Sequence, residues 1–567
     1  MPKRRRKKKK RLKIGRLILA LLILGSITFG CIYGVSNLSS FAKGKIKLNV
    51  KNYYLASKIN TIELYNYNDE TKTMNKIEEP IIYRGEKVKS LNKTKTIEDE
   101  DYIEITLDDT KYYVKKESLV DTKDKVVLEK EKYVRTSVTV YQNKEDSKIS
   151  SFIKKGNSLT ISGYDYIDDT GKVNMYKITK DDIEGWVYGK YLVDTLDEAK
   201  ANYNEKGVYD IHKNRKYSYE LYGGKASTLD YYPYERVEFK DNKLLENAKT
   251  MYLNAGGNVI SGVDSYLEIA KSNGVNAMVV DLKDGALAYP IEAAKNYSMT
   301  AYNNAINSKE SYKTAIDKIK AANIYVIGRI VVFNDSHYAK DNPSDCIQGM
   351  EWPSAFSRKA WEYNVELAKD AIKDMGFNEI QFDYVRFPER SFDLSKLGRD
   401  FKNKYNEEKA EAIQNFLYYA LDQIHKENVY LSVDVFGECS SEYVTAYGQY
   451  WPAISNIVDV ISSMPYTDHF GRTVNTWSNP YQTVYNWAKG AAARQTEIPT
   501  PAIARTWVTA YDTPHWNPTV VYDASKISDQ AQALVDAGLK GGFITWNSAS
   551  NIYKYRQIAS AFAKDYS

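Results

Sequence analysis

The sequence predicts an α/β protein built around a (β/α)8 barrel, and three observations support this fold class. Over residues 244–560, short apolar segments alternate with longer segments of helical periodicity, as in repeated strand–helix units. There are eight such apolar segments. Polar or aromatic residues follow nearly every one, where barrel enzymes carry their chemistry. The predicted strands are Lys249–Leu253, Ala277–Leu282, Ile324–Ile330, Glu379–Val385, Val429–Val435, Val458–Met464, Ala502–Arg505 and Gly542–Trp546.

A doubly wound open sheet is the alternative fold. Its first strand usually leads into a Gly-x-Gly-x-x-Gly loop that binds phosphate. Here the first predicted strand is followed by Asn-Ala-Gly-Gly-Asn at residues 254–258, which lacks that spacing. The barrel is therefore the preferred prediction.

The chain begins with a basic segment followed by an apolar one. Residues 1–16 contain eleven Lys or Arg and no acidic residue, and residues 17–35 contain no charged residue. An apolar helix of this length spans a hydrocarbon core of ~30 Å. Basic residues on its amino-terminal side predict a cytoplasmic tail at 1–16, a transmembrane signal-anchor helix at 17–35 and an extracellular remainder. A cleaved signal peptide and a lipoprotein signal at Cys31 are the alternatives.

Composition limits the classes of partner. The formal net charge of +6 comes from the amino-terminal block, and the rest of the chain is slightly acidic. We therefore expect no nucleic acid as a partner. Three Cys and five His without a Cys-x-x-Cys pair predict neither a disulfide framework nor a zinc site. We expect no metal and no cofactor, and a bridge between Cys346 and Cys439 stays open.

Two small β domains are predicted before the barrel. Residues 45–195 are rich in β-branched residues and Tyr and are interrupted by Asn, Asp and Gly, which is typical of short strands and turns. A weak repeat pairs Ile62–Tyr65 with Val138–Tyr141, and Tyr83–Val88 with Lys154–Leu159. The predicted boundaries are 45–122 for the first domain, 130–195 for the second and 196–243 for a polar connector.

The second β domain resembles bacterial SH3-like domains. The residues that carry the resemblance are Val140-Tyr141, Lys155-Gly156, Gly185-Trp186-Val187 and Tyr191-Leu192. In the first domain the match is weaker, because Tyr113 stands in place of the Trp. The resemblance implies binding of cell-wall peptides or glycans, and a role as spacers is the alternative. Trp186 is expected in the core.

A helix and a strand around Gly376 form the clearest barrel unit. Apolar residues recur at steps of four and three over Arg358–Met375, which predicts a helix with one buried stripe that stops at Gly376. In the strand that follows, Gln381 and Asp383 share one face. Because polar side chains are costly against the apolar helix layer, that face should line the barrel interior.

The same alternation points Asp434 into the barrel from the fifth strand. Two facing carboxylates are the minimum for cleaving a glycosidic bond, one as acid and one as nucleophile or base. Arg329 is expected to keep one carboxylate ionised while burial raises the pKa of the other. His469 is either a hydroxyl ligand or structural. The rings expected to stack on sugars are Tyr384, Tyr466, Trp507 and Trp546.

Residues from about 245 to 555 resemble the bacterial extracellular putative glycosyl hydrolase domain family. The motifs are Val280–Asp284, Arg329–Phe333, Gly376–Pro388, Ser432–Gly437, Ile461–Tyr466 and Trp546–Asn547. The resemblance implies a (β/α)8 barrel and hydrolysis of O-glycosyl bonds. The family resembles the α-amylase-like barrels more remotely. By position Asp383 matches their nucleophile, Asp434 stands where they have a Glu acid, and Arg505 stands where they have a third carboxylate.

The sequence thus predicts a membrane-anchored extracellular glycoside hydrolase that acts on a cell-wall or surface polysaccharide, including peptidoglycan-type substrates. Asp383 and Asp434 are the predicted catalytic residues, with Glu438 as a rival acid. A non-catalytic glycan-binding protein and an envelope scaffold are the alternatives. The predicted substrate-binding residues are Asp281, Lys283, Arg329, Tyr384, Arg386, Tyr466, His469, Trp507, Trp546 and Asn547.

Overall fold

The computed structural model describes residues 50–217, 222–471, 473–513 and 519–566. The predicted cytoplasmic tail, the predicted transmembrane helix and Cys31 lie outside these ranges. Within them, no helix is both long and apolar enough to cross a bilayer. The chain divides after Leu128 into two compact units, which are described separately.

The first unit is an antiparallel sheet of seven strands. Numbered along the chain, they lie in the order 3-2-6-5-4-1-7. Its core contains Leu55, Leu64, Val88, Ile105 and Val114, all buried. The strands are Lys51–Leu55, Thr61–Asn68, Thr73–Tyr83, Lys87–Ile97, Glu100–Leu107, Thr110–Lys115 and Leu119–Val120.

The second unit begins with another seven-stranded sheet, called the β module below. Its strands lie in the same order as those of the first sheet, so the weak sequence repeat extends to strand order. Trp186, expected in the core, is half-buried, and Lys144 Nζ lies 5.7 Å from its ring. The strands are Glu131–Val134, Val138–Tyr141, Ile149–Ile153, Ser158–Tyr164, Met175–Lys180, Ile183–Tyr188 and Leu192–Val193.

The β module packs on the outer helices of the barrel. The Tyr141 ring stacks on Tyr419 with centroids 6.1 Å apart, and Arg135 Nη1 contacts Asp230 of the connector at 3.0 Å. Lys190 Nζ lies 2.5 Å from the buried Asp422 carboxylate. These contacts cover the helix Lys409–His425, whose residues are buried on nearly all sides. The module and the barrel therefore share one core.

The barrel sheet is parallel and nearly closed, as the sequence predicts. In the order of the barrel, its strands are Ala248–Leu253, Ala277–Asp284, Tyr325–Val331, Glu379–Asp383, Tyr430–Phe436, Val460–Met464, Ile503–Ala504 with Thr506–Thr509, and Gly542–Trp546. The seventh strand is longer than predicted and is interrupted at Arg505. Its first half pairs with the sixth strand and its second half with the eighth.

Helices surround this sheet. Arg358–Met375 forms as predicted, with Ser357 accepting a hydrogen bond from Ala360 N and with Gly376 at φ 68°. Cys346 and Cys439 are buried free thiols, so the bridge left open does not form. The α-helices are Leu196–Lys200, Val208–His212, Gly257–Ser261, Val263–Asn273, Met299–Asn303, Lys309–Ala321, Ser336–Asp341, Arg358–Met375, Ser391–Lys396, Lys409–His425, Trp451–Ser455, Val474–Ser478, Pro480–Gln495, Ala524–Asp536 and Ile552–Phe562.

Candidate functional site

Asp383 and Asp434 face each other across neighbouring barrel strands. The fourth and fifth strands pair Gln381 with Ser432 and Phe382 with Val433, so the next step along both strands places Asp383 beside Asp434. Neighbouring strands lie about 4.8 Å apart. Gln381 Nε2 donates to Ser462 Oγ of the sixth strand at 3.2 Å, across the interior of the barrel. The two carboxylates therefore lie on the interior face, as the alternation predicts.

The Arg329 guanidinium lies close to four carboxylates that belong to three barrel strands. Its Nη2 donates to Asp383 Oδ2 at 2.5 Å, and its Nη1 donates to Asp281 Oδ1 at 2.7 Å and to Asp284 Oδ2 at 3.2 Å. Its Nε lies 3.6 Å from Asp434 Oδ2. Only 3% of the Arg329 side chain is exposed, and its contacts with the buried Asp281, Asp383 and Asp434 are shielded from water and salt, whereas Asp284 is 46% exposed.

Asp434 is held as a buried acid. Trp507 Nε1 donates to its Oδ1 at 2.7 Å, whereas its Oδ2 has no hydrogen-bond partner among the described residues. Burial, and then the charge of Asp383, raise the pKa of Asp434 well above its usual range, against the opposing effect of Arg329. Burial thus favours the neutral form of this carboxyl more than in an ordinary aspartate.

Asp383 has a different environment, because both of its carboxylate oxygens accept hydrogen bonds. Besides the Arg329 contact, its Oδ1 accepts from Tyr384 N at 2.6 Å. Charge-assisted hydrogen bonds of this kind suit an ionised carboxylate. This geometry requires a left-handed backbone at Tyr384, with φ 54°. The same conformation ends the fourth strand at Asp383, two residues before its predicted end. Strained backbone of this kind concentrates at functional sites.

Asp281 forms a second acidic position on the other side of Arg329. The Tyr252 hydroxyl donates to its Oδ2. Burial raises the pKa of Asp281 to about 6, with Asp284 adding to the rise and Arg329 opposing it. Neither Tyr252 nor Asp284 is among the predicted site residues. The sequence contained a signal for each of them. Tyr252 lies at an inward position near the end of the first strand, and Asp284 belongs to the Val280–Asp284 motif.

The four aromatic residues expected to stack on sugars differ in how far their rings are exposed to solvent. Trp546 and Tyr384 are half-buried and present ring surface near the carboxylates. Tyr466 is buried and stacks on Trp546 with centroids 6.2 Å apart. Trp507 is fully buried under the same cluster, so its ring faces protein, and its indole N–H serves Asp434 instead.

Several predicted binding residues have structural partners. Lys283 Nζ forms a buried ion pair with Asp335 at 2.6 Å. Arg386 is buried against the ring of Phe436, 4.2 Å from its centroid. Asn547 Nδ2 donates to the carbonyl of Asn551 at the start of the last helix.

Glu438 and His469 lie at the exposed rim. The Glu438 carboxylate accepts hydrogen bonds from the Tyr443 and Tyr447 hydroxyls at 2.9 and 2.8 Å. Among the described residues, no hydrogen bond or ion pair joins Glu438 to the cluster around Arg329. The His469 ring packs edge-on to Tyr466 at 5.4 Å. Both residues are exposed to solvent.

Arg505 does not lie at the strand ends, which corrects the sequence-based placement. Its Nη1 contacts both oxygens of Glu379 at 2.8 and 3.0 Å, and neither side chain is exposed. Glu379 is the first residue of the fourth strand, so this ion pair fills the opposite end of the barrel interior. Trp507, two residues further along, is the inward residue of the seventh strand nearest to Asp434.

Comparison with known proteins adds family information. Residues 250–553, more than half of the chain, match the family described as "Putative glycosyl hydrolase domain". No curated protein matches the chain. All the predicted site residues lie within the matched range.

Three solved structures illustrate the structural likeness. A hypothetical protein from Ruminiclostridium thermocellum is 30% identical, with 33% of this chain and 97% of that chain covered and a TM-score of 0.27. The glycoside hydrolase domain of PgaB from Bordetella bronchiseptica is 13% identical, with 56% and 99% covered and a TM-score of 0.40. A class V chitinase from Pseudomonas fluorescens is 14% identical, with 55% and 99% covered and a TM-score of 0.37.

Proposed function

Because the chain belongs to the "Putative glycosyl hydrolase domain" family, we propose that it hydrolyses glycosidic bonds with Asp383 and Asp434 as its catalytic pair. The observation that carries the proposal is the contrast between two adjacent carboxyls. Asp383 accepts hydrogen bonds from Arg329 and from Tyr384 N, whereas Asp434 has a strongly raised pKa and an unbonded oxygen. When the environments of two carboxyls push their pKa values apart, one carboxyl can act as nucleophile and the other as acid.

In the proposed reaction Asp383 attacks the anomeric carbon and Asp434 gives its proton to the leaving oxygen. The glycosyl–Asp383 ester is then hydrolysed by water, which Asp434, now ionised, deprotonates. The strand register supports this retaining course, because it places the two carboxyls side by side and retaining glycosidases hold their carboxyls only ~5–5.5 Å apart. Arg329 orients Asp383 for the attack and stabilises the carboxylate that is regenerated when the ester is hydrolysed.

The substrate we propose is a cell-wall or surface polysaccharide. Half-buried Trp546 and Tyr384 offer ring faces for sugar units beside the carboxylates. Residues 1–35, with their basic block and apolar run, support a membrane anchor that places the barrel outside the cell. The resemblance of the β module to SH3-like domains, which implies binding of cell-wall peptides or glycans, supports the same location.

One observation favours a second candidate, a glycan-binding protein without catalysis. The Asp434 side chain has no exposed surface. A buried acid protonates a substrate only if the rings above it move when the sugar binds. A barrel that does not open in this way would bind glycan without cleaving it.

The test is release of reducing ends from purified envelope polysaccharides by the full-length chain. Asp383→Asn and Asp434→Asn should each lower the rate by ~10²-fold or more. Asp317→Asn, an exposed change on an outer helix, is the matched control and should leave the rate unchanged. Glu438→Gln tests the rival acid: a large loss there with a small loss in Asp434→Asn would refute the assignment of Asp434. Binding without cleavage by the native chain would establish the second candidate.

A further inference from the structure

A polar cavity lies beside the third barrel strand, outside the cluster around Arg329. Its volume is about 760 Å³, which lies within the range of ligand pockets. It is built by the loop and short helix that follow Tyr325–Val331, so it belongs to the face where the strands end. Its walls include His337, Lys340, Ile347, Glu351 and Lys402.

Several polar groups of this wall have no partner within the protein. Lys340 and Glu351 are exposed, and neither forms an ion pair with any described residue. His337 Nδ1 is buried without a hydrogen-bond partner in the described chain. Lys402 is neutralised by Asp400 at 2.8 Å. The cavity thus offers an unused donor and an unused acceptor whose charges cancel.

One turn connects the cavity with the proposed nucleophile. Ile347 N donates to the Trp352 carbonyl at 3.0 Å and closes the turn, whose residues between them line the cavity. Trp352 itself packs on Tyr384 with ring centroids 6.0 Å apart. Tyr384 directly follows Asp383 and bonds to its carboxylate. Trp352 and Tyr384 therefore form a chain of contacts from the turn of the cavity to Asp383.

We propose that this cavity is a distal subsite that binds an uncharged sugar unit of the polysaccharide whose cleavage is proposed above. Sugar hydroxyls both donate and accept, so they satisfy Lys340 and Glu351 together. Because the charges of Lys340 and Glu351 cancel, the wall has no net charge that would attract an anionic or a cationic unit. The half-buried Trp352 ring lies on the path along which the glycan would run from Tyr384.

A distal subsite makes the affinity for an oligosaccharide depend on the length of the oligosaccharide. Binding energy from a remote unit is used at the reacting centre, so it benefits only substrates long enough to reach the cavity. Loss of two charged hydrogen bonds should weaken the binding of a long oligosaccharide about tenfold or more. The binding of a disaccharide should not change.

The experiment measures binding to full-length Asp383→Asn, which cannot complete cleavage. The probe is a size-fractionated acid hydrolysate of purified envelope polysaccharide, with disaccharide and hexasaccharide fractions. Lys340→Ala with Glu351→Gln is compared with Lys271→Ala and Glu268→Gln, an exposed pair on the helix Val263–Asn273. We expect the hexasaccharides to bind more tightly than the disaccharides, and only the cavity variant to lose this advantage.

Equal affinity for the two fractions, or a cavity variant that behaves like its control, would overturn the subsite. Binding of neither fraction would overturn it as well. A different measurement tests the hydrolase proposal, which fails if the native chain releases no reducing ends. A chain that discriminates length through the cavity but cleaves nothing would keep the subsite and lose the hydrolase.

Discussion

Asp383 and Asp434 are adjacent in register on the fourth and fifth barrel strands, and both contact one buried guanidinium. Arg329 donates to Asp383 at 2.5 Å but lies 3.6 Å from Asp434. This asymmetry lets a single cation stabilise the charge of one carboxyl while burial favours the neutral form of the other. The proposed division of roles rests on it, and the predictions below test its parts.

The acid role of Asp434 predicts a dependence on the leaving group. With Asp434→Asn, cleavage of a natural glycoside should fall ~10²–10⁴-fold, because no proton reaches the leaving oxygen. An aryl glycoside with a strongly acidic phenol needs no such proton and should be attacked at nearly the native rate. Steady-state kinetics on the two substrates provide the measurement. Equal losses on both would contradict the acid role.

The Trp507 hydrogen bond should set the pH profile. Its donation to Oδ1 lowers the pKa of Asp434 against the dominant effect of burial. Trp507→Phe should therefore move the alkaline limb of the activity profile to higher pH, since activity falls as the acid loses its proton. Trp451→Phe removes an equally buried indole that bonds to Gln495, and it should cost stability without moving the limb. Identical profiles for both variants would speak against this coupling.

Asp281 should make stability depend on pH. Its folded pKa of about 6 lies above the ordinary 3.8, so the folded state binds the proton more tightly. The resulting stabilisation is complete below pH of about 4 and is lost as pH rises through about 6, a change of roughly 3 kcal/mol. Urea unfolding of the native chain and of Asp281→Asn across that window gives the difference. A native advantage that grows with pH would have the wrong sign.

The left-handed backbone of Tyr384 predicts an order of stabilities. At φ 54° a Cβ costs about 1 kcal/mol or more, which glycine avoids. Both Tyr384→Gly and Tyr384→Ala lose the ring, so their comparison isolates the backbone. Tyr384→Gly should be more stable than Tyr384→Ala by urea unfolding. An alanine variant that is the more stable of the two would show that the strain is absent.

The buried pair between the β module and the connector should matter for folding. Asp230 accepts from Arg135 at 3.0 Å and from the Tyr418 hydroxyl at 2.6 Å. Asp230→Ala leaves the arginine buried and unpaired, which should cost about 3 kcal/mol. Asp210→Ala removes an exposed partner of Lys213 in the same connector and should change little. Equal unfolding free energies for the two variants would contradict the shared core.

The parts of the barrel set by local pattern were predictable. Apolar runs predict the positions of all eight strands, and alternation within them predicts that Asp383 and Asp434 point inward. The stripe of Arg358–Met375 and its Gly376 stop also followed from residue spacing.

The height of each residue along the barrel axis did not follow from the sequence. Alternation puts Arg505 and Trp507 on one face, but the stagger between strands decides which of them reaches Asp434. Packing of the β module on Lys409–His425 was likewise hidden. It depends on contacts between residues far apart in the chain, such as Tyr141 and Tyr419.

Trapping of the glycosyl–enzyme intermediate tests the central claim most directly. A 2-deoxy-2-fluoro glycosyl fluoride slows the second step of a retaining reaction, so the covalent adduct accumulates and its peptide is identified by mass spectrometry. The account predicts an adduct on the peptide that contains Asp383, formed by the native chain and absent from Asp383→Asn. Turnover of glycan without any adduct, or an adduct on a peptide from elsewhere in the chain, would contradict it.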